Sequence, residues 1–221
     1  MASRVDHLTV HTVPVPLLRP FVTAVRRADA IDAVLVEVVD SEGRSGWGEA
    51  AASWRVTGES PASIRAVVTG PLADVIEGRD VAEIRVLSDE LARSVIHNSA
   101  ARSAVDCALY DLAAQTAGVS LSRYLGGGDT VVRTDMTLSA GGTDDLVRAA
   151  LERCRNGFVS LKIKVGAGNH DDARAVLAVR EAVGAGVVLR VDANQGWDAE
   201  QAVRTITFWD CLLYTSPSPR D

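Results

Sequence analysis

Cysteine is scarce in this sequence, with three residues among 221, and the three are widely separated. Cys107, Cys154 and Cys211 lack the close spacing of metal-binding cysteines, and their odd number argues against a disulfide framework. We expect them to be reduced, buried thiols. The chain also lacks a basic run, and its net charge is −6. This composition argues against nucleic acid as a partner.

Long apolar segments are also absent from the sequence. No apolar run approaches the roughly 18 residues of a membrane span, so we expect no membrane partner. The N-terminus has no charged region followed by an apolar signal core, and we therefore expect a cytoplasmic protein. Hydrophobic residues still make up 47% of the chain, which is ample for a core. The length allows one or two domains.

Residues 1–127 have the pattern of an α+β domain. Alternating apolar residues and turn signals predict strands at 7–13, 33–39 and 46–49. Helical periodicity predicts helices from the capping residue Ser60 to 77, at 81–94 and at 99–117. Residues 14–32 carry three prolines and several polar residues, and we interpret them as a loop.

From residue 131 onward, strands and helices alternate. The predicted strands lie at 131–138, 158–164 and 187–192. The predicted helices lie at 143–155, 171–183 and 198–209. This alternation with short connections predicts a parallel sheet with crossover helices. Three such units are too few to close an eight-stranded (β/α) barrel, and the third strand would keep an unpaired edge.

Residues 211–221 break the pattern abruptly, because they have neither helical nor strand periodicity. We interpret them as a non-native tail, similar to translated adaptor sequence at the end of an assembled reading frame. A natural disordered tail is the alternative. We expect domains at 1–127 and 128–210, and we expect the chain to be the front part of a longer protein.

Polar side chains stand at the ends of two predicted strands. Lys162 and Lys164 alternate with aliphatic residues, so both ammonium groups share one strand face. Asp192 and Asn194 form a second such pair one strand later. Barrel enzymes place their active-site groups at strand ends of this kind. A chance Lys-x-Lys on an exposed edge strand and an Asp that caps a turn or helix are the alternatives.

Seven motifs, in order and spacing, carry a resemblance to a known family. They are Gly46–Ala50, Val56–Ser60, Ala104–Leu112, Leu125–Gly127, Thr134–Ser139, Lys162-x-Lys164 and Asp192–Trp197. The chain resembles the enolase superfamily, within it the muconate-lactonizing subgroup, and most closely the dipeptide epimerases of the L-Ala-D/L-Glu type. This resemblance implies an α+β capping domain followed by the first part of a (β/α) barrel.

The resemblance also implies Mg²⁺-dependent epimerisation of a dipeptide through an enediolate. Removing a proton beside a carboxylate requires a base tuned towards neutral pH and cations where negative charge develops. Two lysines on one strand face disfavour double protonation, which suits one of them to act as the base. By resemblance Lys164 is this acid/base, Lys162 assists it, and Asp192 is the first of three acidic Mg²⁺ ligands. The second base and the remaining ligands would lie beyond the chain.

Three further residues are implied in substrate binding. Arg26 matches the arginine that pairs with the side-chain carboxylate of a terminal glutamate, for which a guanidinium is suited. Its neighbour Arg27 leaves a solvated basic pair as the alternative. Thr137 matches a residue near the substrate backbone, although it would also serve as plain packing, and Asn194 would orient substrate or water. We expect a homo-oligomer in the full-length form.

Other functions share these motifs. A cycloisomerase, an N-acylamino-acid racemase and an o-succinylbenzoate synthase would each carry the same Lys-x-Lys, and only Arg26 and Thr137 favour the epimerase over them. A truncated domain without catalytic activity is the alternative from a different class.

Overall fold

The computed structural model of the chain describes residues 3–24, 27–128, 131–167 and 171–209. Contacts divide these residues into two compact units. The first unit contains residues 3–16 and 30–128. The second contains residues 17–24, 27–29, 131–167 and 171–209. A segment near the N-terminus therefore groups with the residues of the second half.

The first unit combines a sheet with a set of helices. In spatial order the sheet consists of β1 (Val5–Val22), β2 (Arg27–Asp40) and β3 (Ser45–Ala51). β1 and β2 run past the limits of this unit, and their far ends belong to the second. The helices are α1 (Pro61–Val67), α2 (Ala73–Ile76), α3 (Ile84–Ser94), α4 (Ser99–Thr116) and α5 (Leu121–Tyr124).

The core of this unit lies between the sheet and α4. Val34, Val36 and Val38 alternate along β2 and are fully buried, as expected for one face of a strand. They belong to the same buried cluster as Ala104 and Ala108 of α4. The predicted helix over 99–117 and its apolar stripe are thereby confirmed.

The N-terminus of α4 is capped by a residue from a distant loop. Asn98 precedes the helix in a left-handed conformation and makes no capping hydrogen bond through its side chain. Instead, the buried Glu59 carboxylate accepts hydrogen bonds from the backbone N–H groups of Ala100 and Ala101 at 2.9 and 3.0 Å. A carboxylate here also compensates the positive end of the helix dipole. This contact gives the Val56–Ser60 motif a structural role.

The predicted loop over 14–32 is wrong, because β1 extends to Val22 and β2 begins at Arg27. Prolines are tolerated in an edge strand where the missing N–H faces away from the partner strand. Pro14, Pro16 and Pro20 occupy positions of the same parity, so their missing donors lie on one side of β1. This strand is at the edge of the sheet, and the prolines therefore do not end it.

The predicted single helix from Ser60 to 77 is also wrong. Its start is as expected, since the Ser60 hydroxyl accepts a hydrogen bond from the Ser63 N–H and the Ser63 hydroxyl accepts one from the Ser60 N–H. A π-helical segment, Val68–Leu72, then separates α1 from α2. Gly70 has non-helical dihedral angles there, and Pro71 has no N–H to donate.

Asp40 closes the turn between β2 and β3. Its buried carboxylate accepts hydrogen bonds from the Ser3 hydroxyl at 2.6 Å, from the Arg44 guanidinium at 2.7 Å, and from the backbone N–H groups of Glu42 and Arg44. Burial by itself would raise the pKa of Asp40. The hydrogen bonds to the ionised form lower the pKa by more, from 3.8 to about 2.

We expect the chain to lose stability in acid because of Asp40. Its contribution is fully present above the unfolded pKa of 3.8 and is lost as the pH falls through the folded pKa of about 2. This difference corresponds to about 2 kcal/mol of the free energy of unfolding. Urea denaturation at about pH 5 and about pH 2 measures the loss. In Asp40→Asn the loss should be smaller by that amount, and an equal loss in both proteins would contradict the assignment.

The second unit contains a parallel sheet covered by helices. The strands are β4 (Met136–Leu138), β5 (Ser160–Lys164) and β6 (Val188–Asp192), adjacent in that order. The helices are α6 (Thr143–Arg155), α7 (Asp172–Val183) and α8 (Ala199–Trp209). The predicted alternation is confirmed, although β4 starts later than predicted. Val131 and Val132, which favoured a longer strand, are 93% and 83% exposed.

One face of this sheet is apolar. Its residues share a buried cluster with side chains of α6 and α7, and they include Leu138, Leu161, Ile163, Val165 and Leu189. The residues between them point to the opposite face, which is therefore the polar one. None of the helices in the described part of the chain is long and apolar enough to cross a membrane.

The cysteine prediction is wrong in one respect. Cys107 and Cys154 are free thiols, but Cys107 is exposed on α4 and Cys154 is only half-buried on α6. Cys107 lies between the buried residues of the α4 stripe, so helical periodicity turns it outward. Cys211 lies outside the described residues.

Candidate active site

Lys164, Lys162 and Asp192 come together on the polar face of the parallel sheet. The register of β5 and β6 places Lys164 directly beside Asp192. The Lys164 Nζ lies 2.6 Å from Asp192 Oδ2, and the Lys162 Nζ lies 3.5 Å from the same oxygen. Lys164 is buried, with 7% of its side chain exposed, whereas Lys162 has 29% exposed. Two ammonium groups thus share one carboxylate.

The carboxylate of Asp192 is held in its ionised form. Burial disfavours the charge and raises the pKa of Asp192, but three effects lower it by more: the hydrogen bond from Lys164, the hydrogen bond from the Asn194 N–H, and the positive charges of both lysines. The net shift is downward. The negative charge of Asp192 in turn offsets the repulsion between Lys162 and Lys164.

The loop after β6 has an unusual backbone. Asn194 and Gln195 both have positive φ, at 48° and 64°, a conformation that residues other than glycine adopt rarely. The Asn194 N–H donates to Asp192 Oδ1 at 3.0 Å. The Asn194 Oδ1 atom is buried and has no hydrogen-bond partner among the described residues. A strained backbone and an unpartnered oxygen beside Asp192 are features typical of a binding site.

Two βα loops are held against each other next to these residues. The Asp172 carboxylate accepts hydrogen bonds from the Gly166 N–H at 2.8 Å and from the Trp197 indole at 3.2 Å. A Cβ at Gly196 would collide with the Gly166 carbonyl oxygen and would lie 2.7 Å from Ala24 Cβ. The loops that follow Lys164 and Asp192 therefore touch through their backbones, which explains the glycine of the Asp192–Trp197 motif.

Two of the three predicted substrate residues, Thr137 and Asn194, lie within the described part of the chain. Thr137 lies on β4 in register with Lys162, and it is half-buried. Asn194 lies in the loop described above. Arg26 lies outside the described residues. The chain just before it reaches the carboxyl ends of the strands, since the Val22 carbonyl accepts a hydrogen bond from the Ala140 N–H at 3.0 Å.

Sequence reasoning missed an ion pair on the same face. Arg190 Nη1 of β6 lies 2.8 Å from Asp135 Oδ2, just before β4. Strand parity was the available signal, because Asp135 and Arg190 each stand two residues before a residue already assigned to the site, Thr137 or Asp192. The contact itself requires the register of the sheet, because the pair reaches across β5.

The oxygen atoms beside the lysines are of the type that binds a hard divalent cation. The Asp192 carboxylate and the unpartnered Asn194 amide oxygen are oxygen donors, which Mg²⁺ prefers. No group of three or more His, Cys, Asp or Glu side chains that would hold a metal ion occurs within the described residues. The Asp192 carboxylate therefore suits one ligand position of a Mg²⁺ site, which requires further ligands to complete it.

Sequence and structure comparisons identify the family. Residues 6–126 match the N-terminal domain of mandelate racemase / muconate lactonizing enzyme. The chain belongs to this family. Residues 145–211 match the enolase C-terminal domain-like family. The predicted resemblance and fold class are confirmed: an enolase-superfamily N-terminal domain is followed by part of the C-terminal barrel domain. The domain limits at 127 and 128 stay a prediction.

The relatives of the chain include dipeptide epimerases and muconate lactonizing enzymes. An L-Ala-D/L-Glu epimerase of Clostridium acetobutylicum is 34% identical over 202 residues, 91% of this chain and 56% of the relative. The substrate-liganded structure of the Bacillus subtilis L-Ala-D/L-Glu epimerase matches with a TM-score of 0.91 and 32% identity, covering 94% of this chain and 58% of that one. A dipeptide epimerase of Enterococcus faecalis, complexed with Mg and L-Leu-L-Tyr, matches with a TM-score of 0.89 and 32% identity, covering 95% and 59%.

The chain thus spans little more than half the length of these relatives. The term "the whole protein" denotes this chain completed by the remaining length that its relatives have. The epimerases among these relatives are isomerases, the enzyme class that the sequence predicts for the whole protein.

Proposed function

We propose that the whole protein is a Mg²⁺-dependent dipeptide epimerase that inverts the α-carbon of the C-terminal residue by a 1,1-proton transfer. The observation that carries this proposal is the pair of lysines that share the Asp192 carboxylate at the carboxyl ends of neighbouring parallel strands. The dipeptide epimerases among the relatives support the substrate class.

The two lysines have different surroundings and therefore different proposed roles. Lys164 is buried, and its ammonium group is held in place by the ion pair with Asp192. We assign to Lys164 the removal and return of the proton on one face of the α-carbon. Lys162 is more exposed and less tightly paired, which suits it to bind the substrate carboxylate.

Asp192 would hold the metal ion from one side, and the amide oxygen of Asn194 would orient substrate or water. A bound Mg²⁺ would supply positive charge where the substrate carboxylate gains negative charge on loss of the proton. The second base and the other acidic ligands are assigned to the part of the whole protein beyond this chain. The 221-residue chain alone is therefore expected not to turn over a dipeptide.

The choice of dipeptide rests on two residues. The related epimerases differ in the dipeptides they bind: the Bacillus subtilis enzyme is an L-Ala-D/L-Glu epimerase, and the Enterococcus faecalis enzyme is in complex with L-Leu-L-Tyr. Arg26 favours a terminal glutamate, because a guanidinium pairs a carboxylate with two hydrogen bonds. Thr137, in register with Lys162, is assigned to the substrate backbone. A cytoplasmic setting and a homo-oligomeric whole protein stay predictions.

A substrate panel tests this proposal. We expect the whole protein in D₂O with Mg²⁺ to place deuterium on the α-carbon of the C-terminal residue of L-Ala-L-Glu, as followed by NMR. The panel also includes L-Leu-L-Tyr and succinylated amino acids. Faster turnover of a succinylated amino acid would indicate an N-acylamino-acid racemase, and no exchange with any dipeptide would contradict the epimerase assignment.

A further inference from the structure

The Asp135–Arg190 ion pair spans three strands on the polar face. Arg190 lies in register beside Lys162 on the central strand, and Asp135 stands one residue before Met136, which pairs with Leu161. The Arg190 guanidinium therefore crosses β5 to reach the carboxylate at 2.8 Å. The Asp135 side chain is 19% exposed and the Arg190 side chain 54%.

Arg190 has a second carboxylate within its strand. Asp192 follows it by two residues on β6, and side chains two apart on a strand share a face. Among the described residues of this sheet and the one just before β4, the acidic side chains on this face are Asp135 and Asp192. The face carries three cations, from Lys162, Lys164 and Arg190. Without Asp135, these three cations would face one carboxylate.

An arginine would be a strong competitor for that carboxylate. Its planar fork of N–H groups matches the two oxygens of a carboxylate, and it keeps its charge at every accessible pH. A guanidinium on Asp192 would displace the Lys164 ammonium and would block the oxygens assigned to a metal ion. The pairing with Asp135 draws the guanidinium across β5 towards β4, away from Asp192 on the same face.

We propose that Asp135 is a positioning residue that holds the Arg190 guanidinium away from Asp192 and so keeps the Asp192 carboxylate available to Lys164 and to a divalent cation. The part that concerns the cation rests on the proposed function. The part that concerns Arg190 rests only on the geometry of the described residues.

The first test is a crystal structure of the Asp135→Asn variant of the whole protein without added metal. We expect the Arg190 guanidinium within hydrogen-bond distance of the Asp192 carboxylate. A guanidinium that stays on the side of position 135 would overturn the proposal. This result does not depend on activity, so it decides the inference even if the whole protein epimerises no dipeptide.

The second test measures Mg²⁺ binding by titration calorimetry at one fixed pH. Asp135→Asn should weaken binding roughly 10-fold, the usual cost of losing a group that orients a metal ligand. The double variant Asp135→Asn/Arg190→Met should recover wild-type affinity, because the competing cation is gone. A double variant as weak as the single one would indicate a merely structural pair and would overturn the proposal.

Two further variants control for folding and charge. Arg190→Met alone removes the cation and should keep wild-type Mg²⁺ affinity, so a loss of about 10-fold there would also overturn the proposal. Asp145→Asn removes a carboxylate from the exposed ion pair with Arg148 on α6. It should leave Mg²⁺ affinity unchanged, and a loss equal to that of Asp135→Asn would show that net charge alone is responsible.

Discussion

Replacing Lys164 with alanine in the whole protein is expected to lower epimerisation by roughly 1,000-fold or more, the range for loss of a general base. The ammonium group of Lys164 is buried and donates a hydrogen bond to Asp192 at 2.6 Å. Lys162 stands two residues away on the same strand, and its ammonium group lies farther from Asp192, at 3.5 Å. The neighbouring lysine therefore does not replace it. Exchange of the α-proton for deuterium, measured separately for the two epimers of the substrate, checks the result.

The two epimers should respond differently to Lys164→Ala. A base on one face of the α-carbon removes the proton of one epimer only, so exchange should disappear for that epimer. The other epimer should still exchange through the base on the opposite face, without inversion. Inversion in both directions at an undiminished rate would exclude Lys164 as a base.

Lys164→Arg is the matched control for charge. Of the 23 basic residues in the sequence, Lys162 and Lys164 are the lysines, and the other 21 are arginines. Arginine keeps its proton at every accessible pH, whereas lysine releases it when the environment lowers its pKa. The presence of lysine at these two positions, in a chain whose other basic residues are arginine, supports the base role proposed for Lys164. Lys164→Arg should keep the ion pair with Asp192 and be as inactive as Lys164→Ala.

The same contrast shows what the sequence can predict about the site. The period of two in β5 and β6 predicts that Lys162 and Lys164 share a face and that Asp192 and Asn194 share a face, and the structure brings both lysines to the Asp192 carboxylate. The register between strands determines which residues meet, and it depends on the packing of α6 and α7 on the apolar face. The Asp135–Arg190 contact across β5 therefore had no signal in the sequence beyond strand parity.

The errors in the predicted fold have identifiable structural causes. The prolines between residues 14 and 20 would end a strand that has a hydrogen-bonded neighbour on both sides. β1 has a neighbour on one side only, so it tolerates the missing N–H groups. The cap of α4 was missed because Glu59 lies about 40 positions earlier in the chain, where no rule based on neighbouring residues reaches. The apolar stripe of α4 was predicted correctly, because it depends on the sequence of that helix alone, whereas Cys107 on the same helix was wrongly expected to be buried.

Gly48→Ala is expected to lower the free energy of unfolding by about 3 kcal/mol, or to prevent folding of the first unit, because the added methyl group has no room. A Cβ at Gly48 would overlap the Ala104 carbonyl oxygen and lie 3.0 Å from the Ala108 N atom of α4. A Cβ at Gly46 would lie 2.7 Å from Leu112. The backbone of β3 thus touches the backbone of α4, and urea denaturation of the 221-residue chain measures the cost of separating them.

Gly128→Ala is the control for this prediction, since a Cβ there meets nothing within 4 Å and φ is not positive. It should change the free energy of unfolding by less than about 1 kcal/mol. Shortening Ala104 to glycine should not rescue Gly48→Ala, because the collision is with the Ala104 carbonyl group and not with its methyl group. Equal stability of Gly48→Ala and wild type would mean that α4 can move outward without loss of core contacts. The close approach of strand and helix, rather than any property of Trp47 between the glycines, therefore accounts for the Gly-x-Gly of the Gly46–Ala50 motif.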